Sequence, residues 1–149
     1  MANAKNLALI KKREEALRAS EVKSRTIFNA VNDAIFVVRM NEDGTLGTFI
    51  EVNDLACQKL GYSREEFLNM SPFDIVTPEE MERIRQEGIY GQILQGDSVT
   101  FEIHHVARDG SQTPVEINLR AANLNNEQVR LVIARDITRR KQAEKSVNS

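Results

Sequence analysis

The run Ala134-Arg135-Asp136-Ile137-Thr138-Arg139-Arg140-Lys141 joins two backbone patterns with no loop between them. Upstream, Gln128 to Ala134 is dominated by β-branched and apolar residues and predicts a strand. Downstream, Asp136 and Thr138 are residue types that cap a helix start, and Arg139 to Lys145 are strong helix formers. A strand that passes directly into a helix is a mechanical junction, because strain in the sheet can tilt the helix. Such a junction couples the geometry of the sheet to that of the helix.

The bulk numbers agree. A chain of 149 residues predicts one domain with a real core. With 41% hydrophobic and 28% charged residues it reads as an ordinary globular protein. A net charge of -2 gives no general attraction for nucleic acid or an anionic membrane. Glu14 and Glu15 follow the basic run Lys11-Lys12-Arg13 at once, as on a solvated helix face. The single cysteine, Cys57, excludes an internal disulfide and fits a reducing compartment. No apolar stretch approaches the ~20 residues of a membrane span, and the N-terminus lacks the apolar centre of a signal peptide. The expectation is a cytoplasmic module without direct membrane contact.

About Ala4 to Val31 contains neither Gly nor Pro and predicts a helix. Ile10, Leu17, Ser24 and Val31 form one heptad series, and Leu7, Glu14, Glu21 and Phe28 its companion. Apolar residues fill these positions only near the two ends, too sparsely for an extended zipper. Leu7, Ile10, Leu17 and Phe28 still form a stripe suited to a parallel homodimer, with one sheet face as a second contact.

From Ala34 the pattern changes. Ala34 to Met40 predicts a buried strand, Asp43-Gly44 a turn, and Thr48 to Val52 the returning strand. Asn53 is placed to cap a short helix from Asp54 to Leu60 that Gly61 closes. Ser63-Arg64-Glu65-Glu66 is a capping box, and Ser71-Pro72-Phe73-Asp74 a one-turn start. Thr77-Pro78-Glu79-Glu80 opens a helix expected to run to about Leu94 and stop at Gly96, with Gly88 and Gly91 inside it. Those glycines imply either close packing on the sheet or room for a ligand. Three strands follow: about Ser98 to Ala107, Gln112 to Ala122, and Gln128 to Arg135. Asp109-Gly110 and Asn125-Asn126 turn between them. This order predicts an α+β fold, a five-stranded antiparallel sheet with helices on one face.

Local residues carry a resemblance along with that order. Glu51 to Ala56 followed by Leu60 to Phe67 resembles the "vNxA…LGYSxEEl" stretch of PAS sensory domains. Phe101-Glu102 through Arg108-Asp109-Gly110-Ser111 is similar to the family's "fE…kDGs" hairpin, and Arg135 to Lys141 to its "rDITerk" ending. The resemblance covers about Thr26 to Lys141. It implies a linker and dimerisation helix over 1–25, a PAS sensor over 26–138, and the start of an output helix over 139–149. Asn53, Gly61, Tyr62, Asp109 and Gly110 would be structural positions of the motif, and Asp136, Ile137 and Thr138 the relay to an output domain. Arg139, Arg140 and Lys141 lie where the helix macrodipole disfavours cations. Asp136 is the nearest compensating group, with a carboxylate elsewhere in the domain or dimer as the alternative.

The resemblance also directs the search for cofactors. The flavin-binding light-oxygen-voltage branch carries its reactive cysteine in "NCRFLQ", and the matching Asn69-Met70-Ser71-Pro72-Phe73 has none. Cys57 reads as a small buried residue. Haem-binding relatives place a histidine on the long helix, which has none here. His104 and His105 are adjacent on a predicted strand and point to opposite faces, so they cannot clasp one metal. Each reads first as a surface or satisfied histidine, with a pH-sensitive cavity contact as the alternative. No flavin, haem or metal is expected. Enzyme motifs are absent as well.

The implied function is a sensor of a bacterial signalling protein, a sensor histidine kinase or a cyclic-dinucleotide enzyme, whose catalytic part lies elsewhere. A ligand-free dimerisation spacer is the alternative. If a small molecule binds, Phe36, Val38, Ile50, Ile84, Phe101, Ile103, Val115 and Ile117 are the expected lining, on period-2 strand faces or the apolar helix stripe. Plain core packing is the competing reading of the same residues.

Overall fold

The computed structural model describes residues 4–96 and 98–148, without the side chains of 22–30 and 147–148, so Phe28 of the dimer stripe lies outside the described side chains. The chain divides into two compact units between Val31 and Asn32. The first holds α1, Ala4–Ala30, which leaves Leu7, Ile10 and Leu17 all about half exposed or more.

The second unit begins with β1, Ala34–Met40, and β2, Leu46–Val52. Short helices follow: α2, Asp54–Leu60, α3, Arg64–Phe67, and a 3-10 turn, Pro72–Ile75. After them come α4, Pro78–Gln86, and α5, Ile89–Gln95. The chain ends in β3, Ser98–Val106, β4, Gln112–Leu124, β5, Glu127–Asp136, and α6, Thr138–Asn148. All strand pairs are antiparallel, in the order β2-β1-β5-β4-β3. The α+β expectation holds.

Local chemistry explains the element boundaries. Asn53 is fully buried and does two jobs. Its side-chain oxygen accepts from Ala56 N at 3.1 Å, capping α2, and from Ile35 N at 3.0 Å, tying that cap to β1. At Gly61 the chain turns left-handed (φ 79°), and its N–H closes α2 on Cys57 O at 2.8 Å. The turn docks on the β3–β4 hairpin: Arg108 N donates to Leu60 O, and the Arg108 guanidinium lies 5.4 Å from the Tyr62 ring. That hairpin is held by Asp109 Oδ1, which accepts from Ser111 N and Oγ, and by Gly110 at φ 87°. Asn125 and Asn126 both take positive φ, as a two-residue hairpin turn requires.

One element departs from expectation. The single helix predicted from Pro78 to Leu94 is two, because Gly88 adopts φ 74° and starts α5 at a new angle. Neither glycine is there for close packing, since a Cβ at Gly88 or Gly91 would meet no atom within 4 Å.

Candidate functional site

The inner face of the sheet and the short helices enclose an aromatic cluster. Phe36 lies 5.3 Å from Phe49 and 6.0 Å from Phe67, with Phe49 and Phe67 packed edge to face. Next to this cluster, between the sheet and α4–α5, the packing opens into a cavity of about 60 Å³. Phe36, Val38, Ile84, Phe101, Ile103 and Ile117 line it, six of the eight positions expected from the sequence.

The other two do not. Val37 pairs with Glu51 but Val38 with Phe49, so Ile50 is the extra residue of a β-bulge. The bulge reverses the alternation: Phe49 turns inward to the cavity and Ile50 stays half-buried outside it. Val115 is 5% exposed but belongs to the closed core.

Residues unforeseen from periodicity complete the wall, among them Tyr90 and Ile93 of α5 and Val132 of β5. The Gly88 break gives α5 its separate angle, and buried Arg130 holds it by donating to Ile93 O and Leu94 O, each at 3.2 Å. A buried arginine in a strand beside a glycine-ended helix was the available signal.

His104 and His105 point to opposite faces, as expected. His105 lines the cavity at 6% exposure, with its ring edge-on to Phe36 at 5.9 Å. Burial drives its pKa from 6.5 down to about 4, partly opposed by Glu80, so the ring is neutral near pH 7. The cavity-lining alternative is therefore its position. His104 faces outward, its backbone N–H donating to Glu80 Oε2 at 2.6 Å. Cys57 is half-buried rather than buried, and burial raises its thiol pKa.

At the junction, β5 ends on Asp136 and α6 begins on Thr138. Asp136 Oδ1 accepts from Thr138 N at 2.9 Å and from its hydroxyl, as a helix start requires. Its other oxygen meets Lys59 Nζ of α2 at 2.7 Å. Burial pushes the Asp136 carboxyl up, but the hydrogen bonds from Lys59 and Thr138 prevail and hold it at about 2. Between them Ile137 is 4% exposed, and its N–H donates to Pro114 O at 3.0 Å.

Asp136 thus serves Lys59, and Arg140 and Lys141 of α6 are met elsewhere. Arg140 pairs with Glu102 and with Glu116 (3.3 Å), and Lys141 with Glu102 at 2.9 Å. Glu102 and Glu116 are directly opposed on β3 and β4, a repulsive placement for two carboxylates that the α6 cations neutralise. Glu102 also joins α4, since Arg83 Nη2 donates to its carbonyl at 2.6 Å. For Arg140 and Lys141 the alternative compensation, from carboxylates elsewhere in the domain, is the one the chain adopts.

A cavity behind an antiparallel sheet, with the last strand capped directly into an exit helix, defines a sensory module of the PAS type. The PAS domain family model matches residues 32–139, and the chain belongs to that family. It is 33% identical over 130 residues to the methyl sulfide methyltransferase-associated sensor of Methanosarcina acetivorans, covering 87% of this chain and 12% of that protein. It is 29% identical over 140 residues to sporulation kinase E of Bacillus subtilis, covering 94% of this chain and 18% of the kinase. The chain therefore spans less than a fifth of the length of these relatives. Among solved structures, the PAS domain of an HTR-like protein from Haloarcula marismortui superposes with a TM-score of 0.68 at 32% identity, covering 85% of this chain and 99% of that one. As a PAS domain the chain is a sensory module related to sensor kinases, not a catalytic one. Among the described residues no helix is long and apolar enough to cross a membrane.

Proposed function

We propose that the chain is the cytoplasmic sensor of a longer signalling protein of the sensor-kinase type. It passes a change at the cavity through Asp136-Ile137-Thr138 to an output module joined to α6. The observation that carries this reading is continuity within one strand: Val132 lines the cavity, and Asp136, on the same strand, caps the exit helix. A histidine-kinase output is favoured over a cyclic-dinucleotide enzyme by the kinase named among the relatives. The domain carries no flavin or haem in this reading, supported by the missing cysteine motif and by a cavity too small for either ring system. A purified sample is then colourless, and a stoichiometric flavin or Soret band would refute that part.

The chain works as a parallel homodimer through α1, whose Leu7, Ile10 and Leu17 are exposed in the single chain. Light scattering at high micromolar concentration should give the dimer mass. The competing ligand-free spacer is favoured by how little of the interior is open. Joining the chain through α6 to a histidine-kinase catalytic region tests the relay. Asp136→Ala should leave the fusion folded while its autophosphorylation becomes constitutive or silent. Unaltered regulation would contradict the relay.

A further inference from the structure

The sensor reading leaves open what the cavity holds, and the character of its wall narrows the answer. Protein interiors pack like organic crystals, with few voids larger than a water molecule. Water needs about 10–15 Å³ on this measure of volume. A cavity of about 60 Å³ is several times that, and takes on the order of four to six non-hydrogen atoms. The fold holds this space open. One wall is the hydrogen-bonded sheet, with Ile117 of β4 and Val132 of β5. Tyr90 and Ile93 of α5 contribute to the rest, and Arg130 fixes that helix by donating to Ile93 O and Leu94 O. To fill the space itself, α5 would have to leave those bonds and strand a buried guanidinium.

The surface facing the cavity is almost wholly apolar, the contributions of Tyr90 and His105 included. No lysine, arginine or carboxylate lines it among the described residues. A charged guest would therefore lose its hydration with no countercharge, and a hydroxyl or carbonyl would lose its own with almost nothing to bond. Water fares no better, because a buried water needs about two to four polar partners. An apolar guest gains on both counts: it sheds its hydration and supplies the dispersion contacts that an open space denies its lining.

Resting on the sensor reading, we propose that the cavity binds a small, wholly apolar molecule of about four to six non-hydrogen atoms. Short hydrocarbons are the class. The lining excludes alcohols, ketones and carboxylates, and the volume excludes extended ring systems.

The test is an NMR titration of the whole chain with n-pentane, 1-butanol and butyrate, in the natural protein and in Ile84→Phe. Saturable shifts at Ile84, Ile93 and Ile117 are expected with n-pentane. 1-Butanol has the same number of non-hydrogen atoms, and should bind roughly 10-fold or more weakly, the cost of an unbonded hydroxyl. Butyrate should not bind there. Equal or tighter binding of 1-butanol, or saturable butyrate shifts at those residues, would overturn the apolar class. Ile84→Phe puts a larger side chain into the same space and should abolish pentane binding, and a folded variant that binds pentane normally would overturn the location. If that variant does not fold, xenon decides in the natural protein. It should shift the same residues and compete with pentane, whereas xenon shifts elsewhere would overturn the site. Failure of n-pentane to saturate would overturn the inference, while the relay still stands or falls on the kinase fusion. Saturation by pentane with no effect on α6 would uphold the inference and refute the sensor reading instead.

Discussion

The two faces of β3 are built on opposite principles, though they share one backbone. Inward, Phe101, Ile103 and His105 meet the cavity through surface that is almost wholly apolar. Outward, Glu102 meets Arg140 and Lys141 of α6 through charged groups about half exposed to water, and His104 meets the mostly buried Glu80 of α4. The inner contacts are strong together and weakly directional. The outer ones are individually weak, near 0–1 kcal/mol each, but fix an angle. The difference suggests a division of labour: the inner face sets whether the domain is folded and occupied, the outer face sets where the exit helix lies.

Breaking the inner face should therefore cost most. Phe36→Ala removes the centre of the aromatic cluster at 1% exposure, and should destabilise by about 3–5 kcal/mol in urea unfolding. A loss below about 1 kcal/mol would mean the cluster is not the core it looks like.

Acid should strike the same face next. The folded pKa of His105, about 4, lies below the unfolded value of 6.5. Between these values the unfolded chain binds the extra proton, so stability is full above pH 6.5 and falls as pH drops toward 4. The total is roughly 3–4 kcal/mol, at about 1.4 kcal/mol per pH unit. His105→Leu should flatten this slope, and an unchanged slope would place the titrating group elsewhere.

The outer face gives smaller numbers. Asp136→Ala loses the Thr138 cap and the Lys59 pair, about 0.5–2 kcal/mol, and the domain stays folded. The carboxyl's own pH response lies lower than that of His105: the Lys59 and cap contribution is present above pH 3.8 and is lost as pH falls toward about 2. Glu102→Gln should cost least, under about 1 kcal/mol in global stability. It should nonetheless remove the β3 partner of Lys141 and one of the partners of Arg140, and speed amide exchange in the first turns of α6. Global destabilisation without local loosening would break the proposed division.

The contrast between the faces also sets what could be read from the sequence. Element order, caps and turns were legible because they rest on neighbours within a few residues: Asn53 on Ala56, Ser63 on Glu66, Thr77 on Glu80. Five cavity positions followed from strand alternation and a sixth, Ile84, from the apolar stripe of α4. Ile50 did not, because a bulge costs one residue of register and no local signal marks it. Gly88 was visible as a weak point, but its left-handed φ depends on how α5 returns to Arg130. The outer pairs were illegible for a plainer reason. Lys59 meets Asp136 across 77 residues, and Arg140 meets Glu102 across 38, distances over which charge alone names no partner.

Amide exchange in α6 with the cavity empty and occupied tests the coupling of the two faces most directly. Occupancy by a small apolar probe such as n-pentane would be followed at Ile117 and exchange at Lys141, whose N–H donates to Ile137 O at 2.9 Å. The account predicts that saturating the cavity changes exchange across the first turns of α6 several-fold, and that Asp136→Ala abolishes the change. Saturation at Ile117 with α6 exchange unaltered would contradict it.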